Sequence, residues 1–172
     1  ITDGNNNNAF TIDSGTGEIS KASGSILNHE GSNPSYTLTV TATNDEGTDT
    51  ADVEIDITDV DEPPTFTLGT YYGSIAENSS NGTTVELYTD SGKSTDLTDD
   101  ELSNDVTNNG PSVSYSITDG NTDSVFSIDS GTGEISKASG TFNHEGTNSY
   151  TLTVTATNDE GSDTANVEID IT

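Results

Sequence analysis

Asp59-Val60-Asp61-Glu62 places three carboxylates within four residues, directly before the stiff pair Pro63-Pro64. Left unneutralised, such a cluster repels itself and drives apart whatever it joins. A bound cation turns that repulsion into bridging. More oxygen donors recur along the chain: Asn28 and Glu30 flank His29, Asn143 and Glu145 flank His144, and Glu77, Asp90 and Asp159 sit among small polar residues. Ca²⁺ takes about six to eight hard oxygen ligands in flexible geometry. The chain is rich in such oxygens and contains neither Cys nor Met, so soft-metal chemistry is excluded. The indicated chemistry is therefore capture of a hard divalent cation, calcium first. Each bound ion would also stabilise a fold with a modest apolar core by mass action. Extracellular modules hold calcium with dissociation constants of about 0.1–1 mM, so the site belongs outside the cell or at its surface.

Composition narrows the alternatives. The 172 residues carry 31 Asp and Glu against 3 Lys and Arg, a net charge of −28. Arginine is absent and the lysines are Lys21, Lys93 and Lys137, so nucleic acid and anionic membranes are repelled. No long apolar run is present to insert into a bilayer, and no signal peptide is visible. Without cysteine there is no disulfide framework and no thiol nucleophile. Ser91-Gly92-Lys93-Ser94 resembles the end of a phosphate loop, but Leu87 stands where its first glycine belongs. Gly15-Thr16-Gly17 lacks the third glycine of a dinucleotide site, and Asn44-Asp45-Glu46-Gly47 lacks the bidentate Glu of an EF-hand. His29 and His144 occupy equivalent places in a duplication, which speaks against a triad. The absence of Trp speaks against a sugar-cleaving cleft. The expectation is a protein that is not an enzyme.

Self-similarity organises the chain. ITDGN recurs at 1 and 117, SGTGEISKASG at 14 and 130, NHEG at 28 and 143, and SYTLTVTATNDEG at 35 and 149. Roughly four positions in five agree, over a period of about 115 residues. The reading is a C-terminal half repeat at 1–58, a cation-binding linker at 59–65 and a complete repeat at 66–172. An acidic insertion lies at about 90–110. Because the chain begins inside patterned sequence, it is expected to be a piece of a longer array. Within each copy the apolar period is two: Tyr36, Leu38, Val40 and Ala42 alternate with threonines, and Ala51, Val53, Ile55 and Ile57 alternate with acids. Val113-Tyr115-Ile117, Phe126-Ile128 and Val85-Leu87 add shorter strands, separated by turn clusters such as Asp13-Ser14-Gly15-Thr16-Gly17. This spacing predicts an all-β sandwich. In the insertion, Thr98 with Glu101 three residues later predicts a short capped helical turn.

The order FTIDSGTGEI (10–19), NHE (28–30), YTLTVTA (36–42), DVDEPPTF (59–66) and AEN (76–78) resembles cadherin repeats over nearly the whole chain. The eight-residue linker and Thr-rich strands look most like the cadherin-like modules of large bacterial surface adhesins. The resemblance implies an antiparallel Greek-key β-sandwich of seven strands, immunoglobulin-like in architecture, in tandem repeat with calcium between successive domains. It implies a metal-ligand set of Asn28, Glu30, Asp59, Asp61, Glu62, Asp90, Asp159, Glu77, Asn143 and Glu145. Asn28 and Asn143 replace the family's Asp there, and Gly92 stands where a second acid after Asp90 is expected. The implied function is a calcium-rigidified module of an extracellular adhesin whose partners are calcium ions and neighbouring repeats. Self-association is a further expectation, by homophilic contact or through a strand-swapped dimer, since residues 66–90 could complement either near-identical copy. The alternative is a calcium-dependent carbohydrate-binding module of a secreted polysaccharide-degrading protein. Tyr71-Tyr72 would then be the stacking pair, although first-strand packing is the preferred reading of it.

Overall fold

The computed structural model describes residues 1–172. The chain divides into two compact units, Ile1–Val60 and Asp61–Thr172. In the first, β1 (Phe10–Ile12) pairs with β2 (Ile19–Lys21), and β3 (Ser35–Asn44) pairs with β4 (Gly47–Asp56), both antiparallel. Its core is small: Ala9, Phe10, Tyr36 and Leu38 are buried, with Phe10 and Tyr36 edge to face at 5.0 Å.

The second unit contains β5 (Thr65–Phe66), β6 (Thr70–Ile75), β7 (Glu86–Tyr88), β8 (Val106–Thr107) and β9 (Ser114–Asp119). It continues with β10 (Phe126–Ile128), β11 (Ile135–Lys137), β12 (Ser149–Asn158) and β13 (Gly161–Ile171). Five strands form one sheet in the order β7-β6-β13-β12-β9. The opposing layer is the β10–β11 hairpin, extended by the segment before β7, where Val85 donates to the Ile135 carbonyl and Lys137 to the Thr83 carbonyl. The chain from Thr83 to Leu87 therefore pairs first with one layer and then with the other, tying the sandwich together. All pairings are antiparallel except β6 with β13, which run parallel, Thr70 beside Asn166 in the middle of β13 and Ile75 beside Ile171 at its end.

Period-two burial is complete in β13, where Ala165, Val167, Ile169 and Ile171 face inward and Glu168 and Asp170 outward. They meet Leu152 and Val154 of β12, Tyr71 and Ile75 of β6, and Phe126 and Ile135 of the other layer. Burial of each such Val, Leu or Ile side chain contributes about 1.5–3 kcal/mol.

The repeated motifs are turn chemistry. In DSGTG, Asp13 Oδ1 accepts the N–H groups of Gly15 and Thr16, and Asp129 does the same for Gly131 and Thr132. Those bonds hold both carboxyls below their ordinary range. In ITDGN, the side chain of Asn121 receives the Phe126 N–H and donates to the Phe126 carbonyl, as Asn5 does with Phe10.

The acidic insertion is ordered rather than featureless. A 3₁₀ turn at Thr98–Asp100 lies where the sequence predicts a helical turn, but no side chain caps it. Asp99 and Asp100 both take left-handed φ angles, 56° and 58°, in a turn closed by two bonds, Asp100 N–H to the Leu97 carbonyl and Glu101 N–H to the Thr98 carbonyl. Asp100 Oδ1 then accepts the Leu87 N–H at 2.8 Å. Burial pushes the Asp100 carboxyl above its ordinary value, and the charges of Glu86, Asp96 and Glu134 add to the rise against the opposing effect of the Leu87 bond. Between the ordinary and the raised value the folded chain binds more protons than the unfolded one, so this group costs stability as pH rises through that window. Asp100→Asn keeps the carbonyl acceptor and removes the charge. It is expected to raise the melting temperature at pH 7 by an amount worth less than about 1 kcal/mol, because the carboxyl is only partly buried and solvent screens it. The gain should vanish near pH 3, and parallel melts of the two chains at several pH values check it.

Candidate metal centre

The β3–β4 hairpin sets one pole of the first unit. β4 ends at Asp56 and the chain continues through Ile57, whose N–H reaches the Pro34 carbonyl, to Asp59. There Asp59 meets the turn at 28–31, in which Asn28 Oδ1 accepts the Glu30 N–H at 3.1 Å. His29 Nδ1 lies 3.6 Å from Glu30 Oε1 and 3.8 Å from Asp59 Oδ1. Ligand atoms of His29, Glu30 and Asp59 all fall within 4.8 Å of one another, the only such set of three or more His, Asp or Glu side chains in the chain. All three residues are exposed. The donor set fits a hard cation in part: two carboxylates converge, while Asn28 spends its side-chain oxygen on its own turn. The remaining coordination of a calcium ion would fall to water, carbonyls or other acids.

In the second unit the linker carboxylates are held at the end where β12 turns into β13. Asn158 is buried there, with Nδ2 donating to the Glu62 carbonyl at 2.8 Å and to Asn108 Oδ1 at 3.0 Å. Its Oδ1 accepts the N–H groups of Glu160 and Gly161. Asn109 donates to Glu62 Oε2 at 3.3 Å, and the side chain of Asp61 lies beside Gly110. Asp61, Glu62 and Asp159 are thus exposed acids around one fixed asparagine.

Glu77, Asn143 and Glu145 belong to the opposite end of that unit, separated by the length of β13, roughly 33 Å at strand rise. Glu77 Oε2 accepts the His144 N–H at 3.1 Å, and His144 Nδ1 donates to the Ile171 carbonyl at 2.6 Å. The ring of His144 is thereby tied to backbone, whereas its twin His29 faces acids.

Asp90 joins neither group. Its carboxylate closes the turn from Thr89 to Thr95, accepting from the N–H groups of Gly92, Ser94 and Thr95 and from Ser94 Oγ. Burial works to raise its pKa, but the bonds from Ser94 and Thr95 prevail and hold it below the ordinary range. The same turn extends Lys93 to Asp170 at 2.6 Å, near the end of β13 remote from Asn158. At Gly92, whose N–H also bonds Asp90, an added Cβ would sit 3.0 Å from Asp90 Oδ1, tight against that carboxylate.

Sequence reasoning passed over Asn108, Asn109 and His29 as site residues, and chose Asp159 over its neighbour Asn158. For Asn158 a signal existed in the recurrence of TNDEG, since Asn44 makes the same two bonds to Glu46 and Gly47. For His29, its equivalent place to His144 in the duplication carries no signal that one ring faces acids and the other backbone. Tyr71 is fully buried, donating to Asp105 Oδ2 at 2.8 Å, with its hydroxyl pKa pushed up by burial and by that carboxylate. It cannot stack on a sugar.

A tandem of β-sandwich repeats with acids gathered at strand ends is the class these features define. A family model described as cadherin domain matches residues 71–172, and the chain belongs to the cadherin family. It is 36% identical to human Protocadherin Fat 1 over 183 residues, covering 99% of this chain and 4% of that protein. It is also 36% identical to mouse Protocadherin Fat 4 over 160 residues, covering 90% of this chain and 3% of that protein. The chain thus spans a few per cent of the length of these curated relatives. Among solved structures, extracellular cadherin domains 1–4 of Protocadherin Gamma B7 superpose with a TM-score of 0.60 at 22% identity, covering 86% of this chain and 34% of that one. The human Desmocollin-1 ectodomain gives 0.60 at 21% identity, covering 96% and 30%. At those identities the likeness speaks to fold.

Proposed function

We propose that the chain is a calcium-binding, adhesion-type cadherin module of an extracellular, cell-surface repeat protein, and that its mechanical role is to stiffen the array that carries it. The observation behind this reading is the convergence of Glu30 and Asp59, immediately followed in the chain by Asp61 and Glu62. Calcium, when bound, supplies the positive charge that these acids lack. The protein supplies the positioning: the Asn28 turn presents Glu30, and Asn158 with Asn109 fixes the backbone and side chain of Glu62. Neutralising the acids along Asp59–Glu62 removes their mutual repulsion and stiffens the linker. The short linker and Thr-rich strands support placement in a bacterial adhesin, with neighbouring repeats and homophilic contact as partners. No helix is long and apolar enough to cross a membrane.

Calorimetric titration with calcium tests the proposal. The double variant Glu30→Gln/Asp59→Asn is expected to lose at least tenfold in affinity at its strongest site. Identical isotherms for variant and parent would remove the first-unit acids from the site.

A further inference from the structure

The sequence holds two Asn-Gly pairs, Asn81-Gly82 and Asn109-Gly110. In such a pair the backbone nitrogen of the second residue can attack the side-chain amide carbon of the first, because glycine has no Cβ to obstruct the closing ring. The fold treats the two pairs differently. Asn81 is exposed in the turn between β6 and β7, but the Gly82 N–H donates to the Lys137 carbonyl at 2.7 Å. Lys137 returns a bond from its own N–H to the Thr83 carbonyl at 2.9 Å, so the Gly82 nitrogen is held against β11 and cannot turn toward Asn81 Cγ. Asn109 and Gly110 lie in a bend between β8 and β9, both partly exposed, and the Gly110 N–H makes no hydrogen bond within the chain. Asn108 holds that bend by its carbonyls instead, its Nδ2 donating to those of Gly110 and Pro111 at 3.2 and 3.0 Å. The Asn109 amide is restrained by a single long bond, 3.3 Å from Nδ2 to Glu62 Oε2.

We propose that Asn109 is a site of spontaneous deamidation, at which the folded chain slowly converts a neutral brace of the linker into an acid. The Gly110 nitrogen forms a bond to Asn109 Cγ, the Cγ–Nδ2 bond breaks, and the proton of the Gly110 N–H leaves with Nδ2 as ammonia. Water then opens the cyclic imide at either carbonyl, its hydroxyl joining the carbon and its proton returning to the nitrogen. The product is aspartate, or isoaspartate with the backbone routed through the side chain, and water is the sole co-reactant. Close packing keeps the reactive pair in place: a Cβ at Gly110 would meet the Glu62 carbonyl oxygen at 3.2 Å, Asn158 Nδ2 at 3.3 Å and Asp61 Cβ at 3.4 Å. The consequence falls on the linker. Asn109 Nδ2 donates to Glu62 Oε2, whereas a carboxylate in its place has nothing to donate and repels Glu62. Deamidation therefore releases the Glu62 side chain and adds a charge beside Asp61 and Glu62, while the Glu62 carbonyl stays on Asn158.

The test incubates the full chain in mildly alkaline buffer, both folded and in concentrated urea, and follows each site by mass spectrometry. Trypsin separates the sites, because cleavage after Lys21, Lys93 and Lys137 leaves Asn81 in 22–93 and Asn109 in 94–137. Fragmentation then assigns the mass gain to a residue. For each site the folded rate is divided by the rate in urea, and the ratio for Asn109 is expected to exceed that for Asn81 at least tenfold. Equal ratios overturn the proposal, as does a larger ratio at Asn81, which is what exposure alone would give. Asn109→Gln is expected to stop conversion in its peptide, since the larger ring closes slowly. Undiminished conversion there would assign the reaction to Asn104, Asn108 or Asn121 and overturn the proposal as well. Asn109→Asp makes the aspartate product outright and is expected to lower the melting temperature of the second unit in EDTA. An unchanged transition would overturn the effect on the linker.

Discussion

In 10 mM calcium the chain is expected to unfold at markedly higher temperature than in EDTA, and the largest movement should belong to the first unit. With a net charge of −28 on 172 residues, self-repulsion works against compaction. The first unit offsets it with only four buried apolar side chains. A ligand at about one hundred times its dissociation constant adds about 2.7 kcal/mol of stability, which 10 mM calcium reaches if the constant is about 0.1 mM. For a unit of this size that corresponds to a rise of about 10 °C or more. Because two units melt, calorimetry should resolve two transitions, and a single midpoint would be the wrong quantity. Sodium chloride at matched ionic strength separates screening from binding. Glu30→Gln/Asp59→Asn should abolish most of the shift in the first-unit transition. Equal melting in calcium and EDTA would leave the acids as solvated surface and sink the metal-binding proposal.

The strands were legible because period-two burial is a local property: Tyr36 to Ala42 and Ala51 to Ile57 announce their inward face by alternation alone. Tyr71 in a buried first strand follows from the same rule. The parallel pairing of β6 with β13 was not legible, since it joins Thr70–Ile75 to Asn166–Ile171 across some ninety-six residues of chain and no pattern within β6 announces it. The acids divide along the same line. Glu30 and Asp59 converge as their positions in the repeat suggest, while Asp90 is absorbed by a turn whose acceptor demand, from Gly92, Ser94 and Thr95, is satisfied by one carboxylate. A carboxylate four residues before Ser-Thr is as good a turn former as a metal ligand, and only the fold decides between them. Asn108 and Asn109 escaped notice, and Asp159 was preferred to Asn158, because a neutral amide carries no charge signature, yet Asn158 makes four bonds from a buried position.

The severest single substitution expected in the second unit is Gly120→Ala. Gly120 follows Asp119 at the end of β9 with φ +81°, and its N–H is held by Asp119 Oδ1 at 2.8 Å. An added Cβ would fall 1.9 Å from the Thr151 carbonyl oxygen and 3.1 Å from Leu152 Cα. Both are backbone atoms of β12, which β13 holds from its other side, so no side-chain rotation relieves the overlap. The left-handed φ alone costs an L-residue about 1–2 kcal/mol. Forcing β9 away from β12 would add the loss of packing at Leu152 and Tyr115, for a total above about 4 kcal/mol. Gly82 provides the control within the same unit: its φ is +84°, but nothing lies within 4 Å of the added Cβ. Gly82→Ala should therefore cost only about 1–2 kcal/mol, the conformational part. Denaturant unfolding of the two variants separates the contributions, and equal costs would show that crowding against Thr151 plays no part. Gly4, at φ +76° and with an added Cβ falling 1.8 Å from the Thr37 carbonyl oxygen, repeats the geometry in the first unit. The ITDGN motif recurs for this reason: its glycine is where β9, and the chain leading into β1, pass close against the backbone of the long hairpin, and its asparagine then fixes the strand that follows.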